Sequence, residues 1–223
     1  MLHKWNMLVD LVKLTVLSDQ SDTPVWSLEP NGQYSIKSLY KLINFGGISS
    51  KIRDCIWKIK VPSNIHVFLW LMYNNKSLTR DNLAKRRHVE DKTCVFCAEP
   101  ESIQHLLFDC IVASEIWAVI AESLNIIIPR SFESLSSFWK KKKQCEAVNI
   151  ATSATLWCLW RLRNDFVFQG RRWRDMRCVL DRVGATIRQW KILCSEVQGA
   201  LLLRCLRIFN RRRGELLRII WIC

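Results

Sequence analysis

Thr93-Cys94-Val95-Phe96-Cys97-Ala98-Glu99-Pro100-Glu101-Ser102-Ile103-Gln104-His105-Leu106-Leu107-Phe108-Asp109-Cys110 is the stretch from which the rest of the chain is read. It sets three thiols and one imidazole in the pattern Cys94-x2-Cys97-x7-His105-x4-Cys110. A closed tetrahedral Zn2+ site takes four soft or borderline ligands of this kind. The two-residue gap lets one tight turn present both first thiolates, and Ala98–Gln104 returns the chain to the ion. On an ideal α-helix five residues overshoot a full circle by about 140°, so the helix carrying His105 is expected to loosen near Asp109 and let Cys110 swing back. A ligating histidine needs an acceptor for its second ring nitrogen. Glu101 and Asp109, four residues to either side, are the candidates. Four protein ligands leave no open coordination position, which argues against a catalytic metal. Cys-Val-Phe-Cys lies in no βαβ context, which argues against a redox dithiol.

Working outward, a helix is expected over Lys51–Ile59, with Ile52, Ile56 and Ile59 on one side. Val61-Pro62 breaks it, and Pro62 suits the start of a second helix, Ser63–Tyr73. That segment is apolar almost all round, which predicts a central core element. With the later helices it predicts a core separate from the metal loop. Thr79 caps a short helix, Arg80–Arg87. Nearer the N-terminus, Glu29-Pro30-Asn31-Gly32 separates Val25–Leu28 from Gln33–Ile36 and predicts a β-hairpin, with Ser35 or Ser38 capping a helix over Lys37–Asn44. Beyond Cys110 the pattern is helical: Ile111–Leu124, a helix capped by Ser131 and ending in Lys140–Lys143, Glu146–Phe168, and Trp173–Val197. Leu201–Cys223 reads either as a basic amphipathic helix, with Arg204, Arg207 and Arg211 on one side, or as unselected read-through sequence, the second being preferred. The expected fold is mainly α with a small N-terminal β-hairpin, a zinc-stabilised loop between helices, and a helical C-terminal region. The expected divisions are an N-terminal segment 1–24, a zinc-binding domain 25–120, helices over 121–198 and an Arg-rich tail 199–223.

Composition bounds the function. The chain has 223 residues, 49% of them hydrophobic, with only 7 Gly and 5 Pro, a balance that favours helices over turn-rich β architectures. Its uncharged runs, Val61–Asn75 and Ala147–Trp160, are too short to span a bilayer. No secretory leader is evident, and 10 cysteines without one imply a reducing compartment. A nuclear or cytoplasmic protein, neither secreted nor membrane-bound, is expected. Lys and Arg number 34 against 20 Asp and Glu, net +14. Residues 1–111 hold 14 basic and 11 acidic side chains (+3), and residues 112–223 hold 20 and 9 (+11). Such a surplus points to nucleic acid, RNA or DNA, as partner. The candidate contacts are Lys85, Arg86 and Arg87 beside the metal loop, Lys140, Lys141, Lys142 and Lys143, and Arg171, Arg172 and Arg174 around Trp173. Trp157 and Trp160, at helical spacing, read as core.

At these residues the chain resembles the zinc-binding domain that follows the reverse transcriptase in plant non-LTR retrotransposons. The resemblance rests on Gly32-Gln33-Tyr34-Ser35-Ile36-Lys37-Ser38-Leu39-Tyr40, Ile56-Trp57-Lys58, Val61-Pro62, Val67-Phe68-Leu69-Trp70-Leu71 and Leu78-Thr79-Arg80-Asp81-Asn82-Leu83. It continues through Cys94, Cys97, Glu101, His105-Leu106 and Cys110 to Ala113 and Ile116-Trp117, and Trp157, Trp160-Arg161 and Arg163-Asn164 resemble the segment that follows. It implies Cys94, Cys97, His105 and Cys110 as zinc ligands. Where the family often carries lysines this chain has Asn64 and His66, which weakens any basic contact there. No Tyr-x-Asp-Asp polymerase signature and no spaced acidic set of a ribonuclease H are evident. The expectation is a non-enzymatic zinc module left from a retrotransposon polyprotein and binding nucleic acid without sequence preference. The alternatives are a structural module that docks on the polymerase, or a transposon remnant without function.

Overall fold

The computed structural model describes residues 23–39, 51–139, 143–171 and 175–215, with positions 9 and 13. Two compact units divide at residues 49 and 50.

In the first unit the Pro-Asn-Gly turn forms. Trp26 N donates to Gly32 O at 2.7 Å and Gly32 N to Glu29 O at 3.0 Å. Gly32 takes φ +67°, the left-handed region that glycine enters without strain. The expected hairpin does not follow, since no described residue here is a strand. Val25 and Ile36 stay about three-quarters exposed, so alternation has no apolar face to bury against. Ser35 ends the extended stretch instead, accepting from Ser38 N at 3.1 Å as a helical turn opens at Ile36. The expected helix over Lys37–Asn44 runs into residues 40–50, outside the described ones.

The second unit is helical. Helix α1 is Lys51–Lys58 and α2 is Ser63–Tyr73, entered through Pro62. Helix α3, Arg80–Ala84, is shorter than expected. After the Cys/His segment come α4, Ile111–Leu124, and α5, Phe132–Ser136, whose cap Ser131 accepts from Ser134 N at 3.2 Å. A 3-10 turn, Lys143–Cys145, leads into α6, Glu146–Gln169, which stops at Gly170 with φ +61°. Helix α7 is Met176–Trp190, capped by Asp175, and α8 is Glu196–Glu215. Two sequence expectations are corrected here. Trp173–Val197 is not one helix, because the chain turns between α7 and α8, where buried Glu146 accepts from Ser195 N at 2.8 Å. The Arg-rich tail, at least to Glu215, is a core element: α8 buries Leu202, Cys205, Leu206 and Phe209 and packs against α4, α6 and α7.

Helix α6 sits at the centre, against α2, α4, α7 and α8. One continuous apolar core joins Ile65 and Leu69 of α2, Leu106 to Phe108 of the Cys/His segment, Ile116 of α4, Leu159 of α6, and Leu206 of α8. The metal loop therefore has no separate core. Helix α2 also departs from expectation. It buries Ile65, Phe68, Leu69 and Met72 but leaves Val67 half exposed and Trp70 over a third exposed. An all-round apolar sequence has become a helix with one apolar face turned outward.

Candidate metal centre

The site begins as a tight ribbon. Thr93 bridges Pro100 antiparallel, Cys94 N donates to Glu99 O at 2.7 Å, and Glu101 N donates to Lys92 O at 2.8 Å. Between these rungs the chain folds over itself, with Cys97 N on Cys94 O at 3.4 Å and Phe96 N on Cys94 Sγ at 3.4 Å. An amide aimed at sulfur favours the thiolate a metal requires. Ser102 Oγ then accepts from His105 N at 3.0 Å and starts the return.

The expected loosening of the helix takes a definite form. His105–Asp109 is a π-helical turn, closed by Cys110 N donating to His105 O at 2.8 Å. An i→i+5 turn brings residue 110 back over residue 105, which an α-helix does not do. Wider turns free carbonyls, and two are taken up: Trp117 Nε1 donates to Leu107 O at 2.6 Å and Ser114 Oγ to Phe108 O at 3.3 Å. Cys110 itself leaves the helical region, with φ −58° and ψ 141°, and starts α4.

The four ligand atoms of Cys94, Cys97, His105 and Cys110 lie within 4.8 Å of one another. Cys94 and Cys97 are each 3.9 Å from Cys110, sulfur to sulfur, and Cys97 Sγ is 3.1 Å from His105 Nε2. A tetrahedral ion with bonds of about 2.3 Å sets sulfurs about 3.8 Å apart, so the set fits Zn2+. The neighbouring Cys110 sulfur and then burial push the Cys94 thiol far above its ordinary range, and burial raises Cys97. The Cys94 and Cys97 thiols thus resist ionising, and a divalent cation reverses that. When bound, zinc supplies cross-linking of ribbon, π turn and α4. With four protein ligands the site is of the closed type.

The hydrogen bonds of both carboxylates proposed for the second nitrogen of His105 go to other groups. Asp109 accepts from Gln104 Nε2 at 3.2 Å. Glu101 is buried with Arg163 of α6: Arg163 Nη2 donates to Oε1 at 2.7 Å and Nε to Oε2 at 3.1 Å, while Arg80 N adds a third bond at 2.8 Å. Sequence reasoning missed this pair. Both residues stood in the resemblance motifs, but nothing local in the sequence couples positions so far apart.

Of the basic candidates, Lys85, Arg86 and Arg87 are exposed just after α3, with Lys85 Nζ bonded to Asn82 Oδ1 at 2.7 Å. Arg171 is exposed and 3.5 Å from Asp165. Lys143 opens the 3-10 turn before α6. Lys140, Lys141, Lys142, Arg172 and Arg174 lie outside the described residues. Much of the C-terminal charge is internally paired: Arg163, Arg171, Arg177, Arg182, Arg211, Arg212 and Arg213 all face carboxylates.

A closed Cys3His knuckle feeding a helical core defines a structural zinc-binding module. Residues 34–117 match the family described as zinc-binding in reverse transcriptase, and this part of the chain is such a domain. The chain is also 25% identical over 191 residues to an Arabidopsis thaliana protein named "Putative ribonuclease H protein At1g65750". The match covers 81% of this chain but only 30% of that protein, so the chain spans less than a third of its relative. No solved structure matches the chain. Among the described residues no helix is long and apolar enough to cross a membrane.

Proposed function

We propose that this chain is a non-enzymatic zinc module of a plant non-LTR retrotransposon polyprotein that binds nucleic acid without sequence preference, acting in a nuclear or cytoplasmic setting. The observation that carries the reading is the charge split, +3 before residue 112 and +11 after it. The internal ion pairs of that half do not remove it as a partner surface. Most of those arginines are exposed, and exposed pairs are worth only about 0–1 kcal/mol, so phosphate competes for them easily. In the parent polyprotein such a module holds template RNA or target DNA beside the polymerase. The relative's name mentions ribonuclease H, but this chain carries no evident acidic set of that kind.

Titrating the full chain with labelled RNA across salt tests the reading. With roughly four to six phosphates neutralised, affinity falls with a log–log slope of about −3 to −4 for single strands. No binding at about 50 mM salt, where the electrostatic contribution is strong, overturns it. Cleavage of an RNA–DNA hybrid by the pure chain with Mg2+ overturns the non-enzymatic part. A second reading, docking on the polymerase, draws on the exposed apolar residues Ile192 and Val197 before and within α8, 87% and 74% exposed.

A further inference from the structure

The outward face of α2 and the facing side of α6 form a groove of about 590 Å3. That volume falls within the range of about 300–1,000 Å3 typical of ligand pockets. Val67, Leu71 and Leu78 form an aliphatic wall, Trp157, Trp160 and Phe168 of α6 an aromatic one, with Lys76 and Arg86 at the rim, and among the described residues no carboxylate lines it. Phe168 is 67% exposed, so its ring is open to a partner from solvent. The rings are held in place. Phe68 packs edge-on to Trp157 at 5.1 Å between centroids. The Arg163 guanidinium, pinned by Glu101, lies 5.4 Å from the Trp160 ring centre and 5.8 Å from that of Phe168. Arg161 stands 5.7 Å from the Trp157 ring centre, adding a further cation beside the groove.

We propose that this groove takes an unstacked base of a single-stranded nucleic acid, stacked on the α6 aromatics, with Lys76 and Arg86 on the flanking phosphates. The proposal rests on the nucleic-acid reading above and names where and how a single strand is held. Aromatic rings in a cationic groove are the sequence-tolerant way to hold single strands, because every base has a π face. A purely apolar partner leaves Lys76 and Arg86 unused and gains nothing from the missing carboxylates. Because Glu101 of the metal loop fixes Arg163, the zinc knuckle also sets the groove wall.

The test compares the full chain with Phe168→Ala and with the double variant Lys76→Ala, Arg86→Ala, all exposed positions whose removal spares the core. The probes are a labelled oligouridylate of about twelve nucleotides and an RNA duplex of the same length. Phe168→Ala is expected to weaken oligouridylate binding about tenfold and leave duplex binding unchanged. Photo-crosslinked uridine is expected on α2 or α6 peptides. If wild-type chain binds with the expected salt slope while both variants match it on the single strand, the groove proposal falls and the charge-based reading stands. If wild-type chain does not bind at all, both fall. Variants that alter self-association in sedimentation while leaving RNA affinity intact assign the groove to protein contact and overturn the proposal.

Discussion

Glu101 and Arg163 are fully buried partners from segments 62 residues apart, and they show what a single residue does here. Removing one partner leaves the other charged and dry, which costs about 3–5 kcal/mol, whereas replacing both by apolar residues is often neutral. Glu101→Gln is therefore expected to lower unfolding stability by about that amount, and the pair Glu101→Leu, Arg163→Met to recover part of it, Arg80 N having lost its acceptor, as read by urea denaturation of the three species. At the metal ligands the expected outcome is one zinc per chain by elemental analysis, lost in the Cys97→Ser, His105→Ala variant. Retention of zinc in that variant contradicts the ligand set. Because the thiols must ionise and the imidazole must be neutral to bind, zinc is also expected to leave as pH falls. These four residues were legible from spacing alone. The acceptor roles given to Glu101 and Asp109 were not, because a carboxylate's partner depends on what the fold carries alongside it.

At the scale of an element, α8 decides more than its arginines suggest. Its sequence reads as a charged tail because arginines are frequent, yet Leu202, Cys205, Leu206 and Phe209 fall on one helical face and are buried. Leu202, Leu206 and Phe209 are each under a tenth exposed, and burying three such side chains is worth roughly 5–9 kcal/mol. A domain's net stability is about 5–15 kcal/mol. Deleting residues 199–223 is thus expected to unfold or severely loosen the second unit, seen as lost helical signal and rapid limited proteolysis, rather than merely to lower RNA affinity by its charge. A stable, helical truncated chain contradicts this. The π turn at His105–Asp109 is the opposite case. The mismatch between a five-residue spacing and the α-helical repeat announced a distortion, and only its hydrogen bonding remained to be seen.

For the whole molecule, the continuous core makes the zinc knuckle part of one cooperative body. Cys94 and Cys110 are buried with Leu106, Leu107 and Phe108 in the same cluster as α2, α4 and α6. Chelation is therefore expected to lower the melting temperature of the entire second unit and to raise hydrogen exchange in α4 and α6 as well as in residues 93–110. Loss of protection confined to residues 93–110 contradicts a shared core.

The sequence by itself determined the ligand set, the helical class, the short turn at Pro30-Asn31-Gly32 and the charge of the second half. Each rests on spacing, periodicity or composition, which act over a few residues or need no fold at all. Only the tertiary structure decided that no strands flank that turn, that α2 turns Val67 and Trp70 outward, that α8 is core, and that Glu101 answers to Arg163. Those outcomes depend on which faces meet across long separations in the chain, and burial between distant segments leaves no local signature.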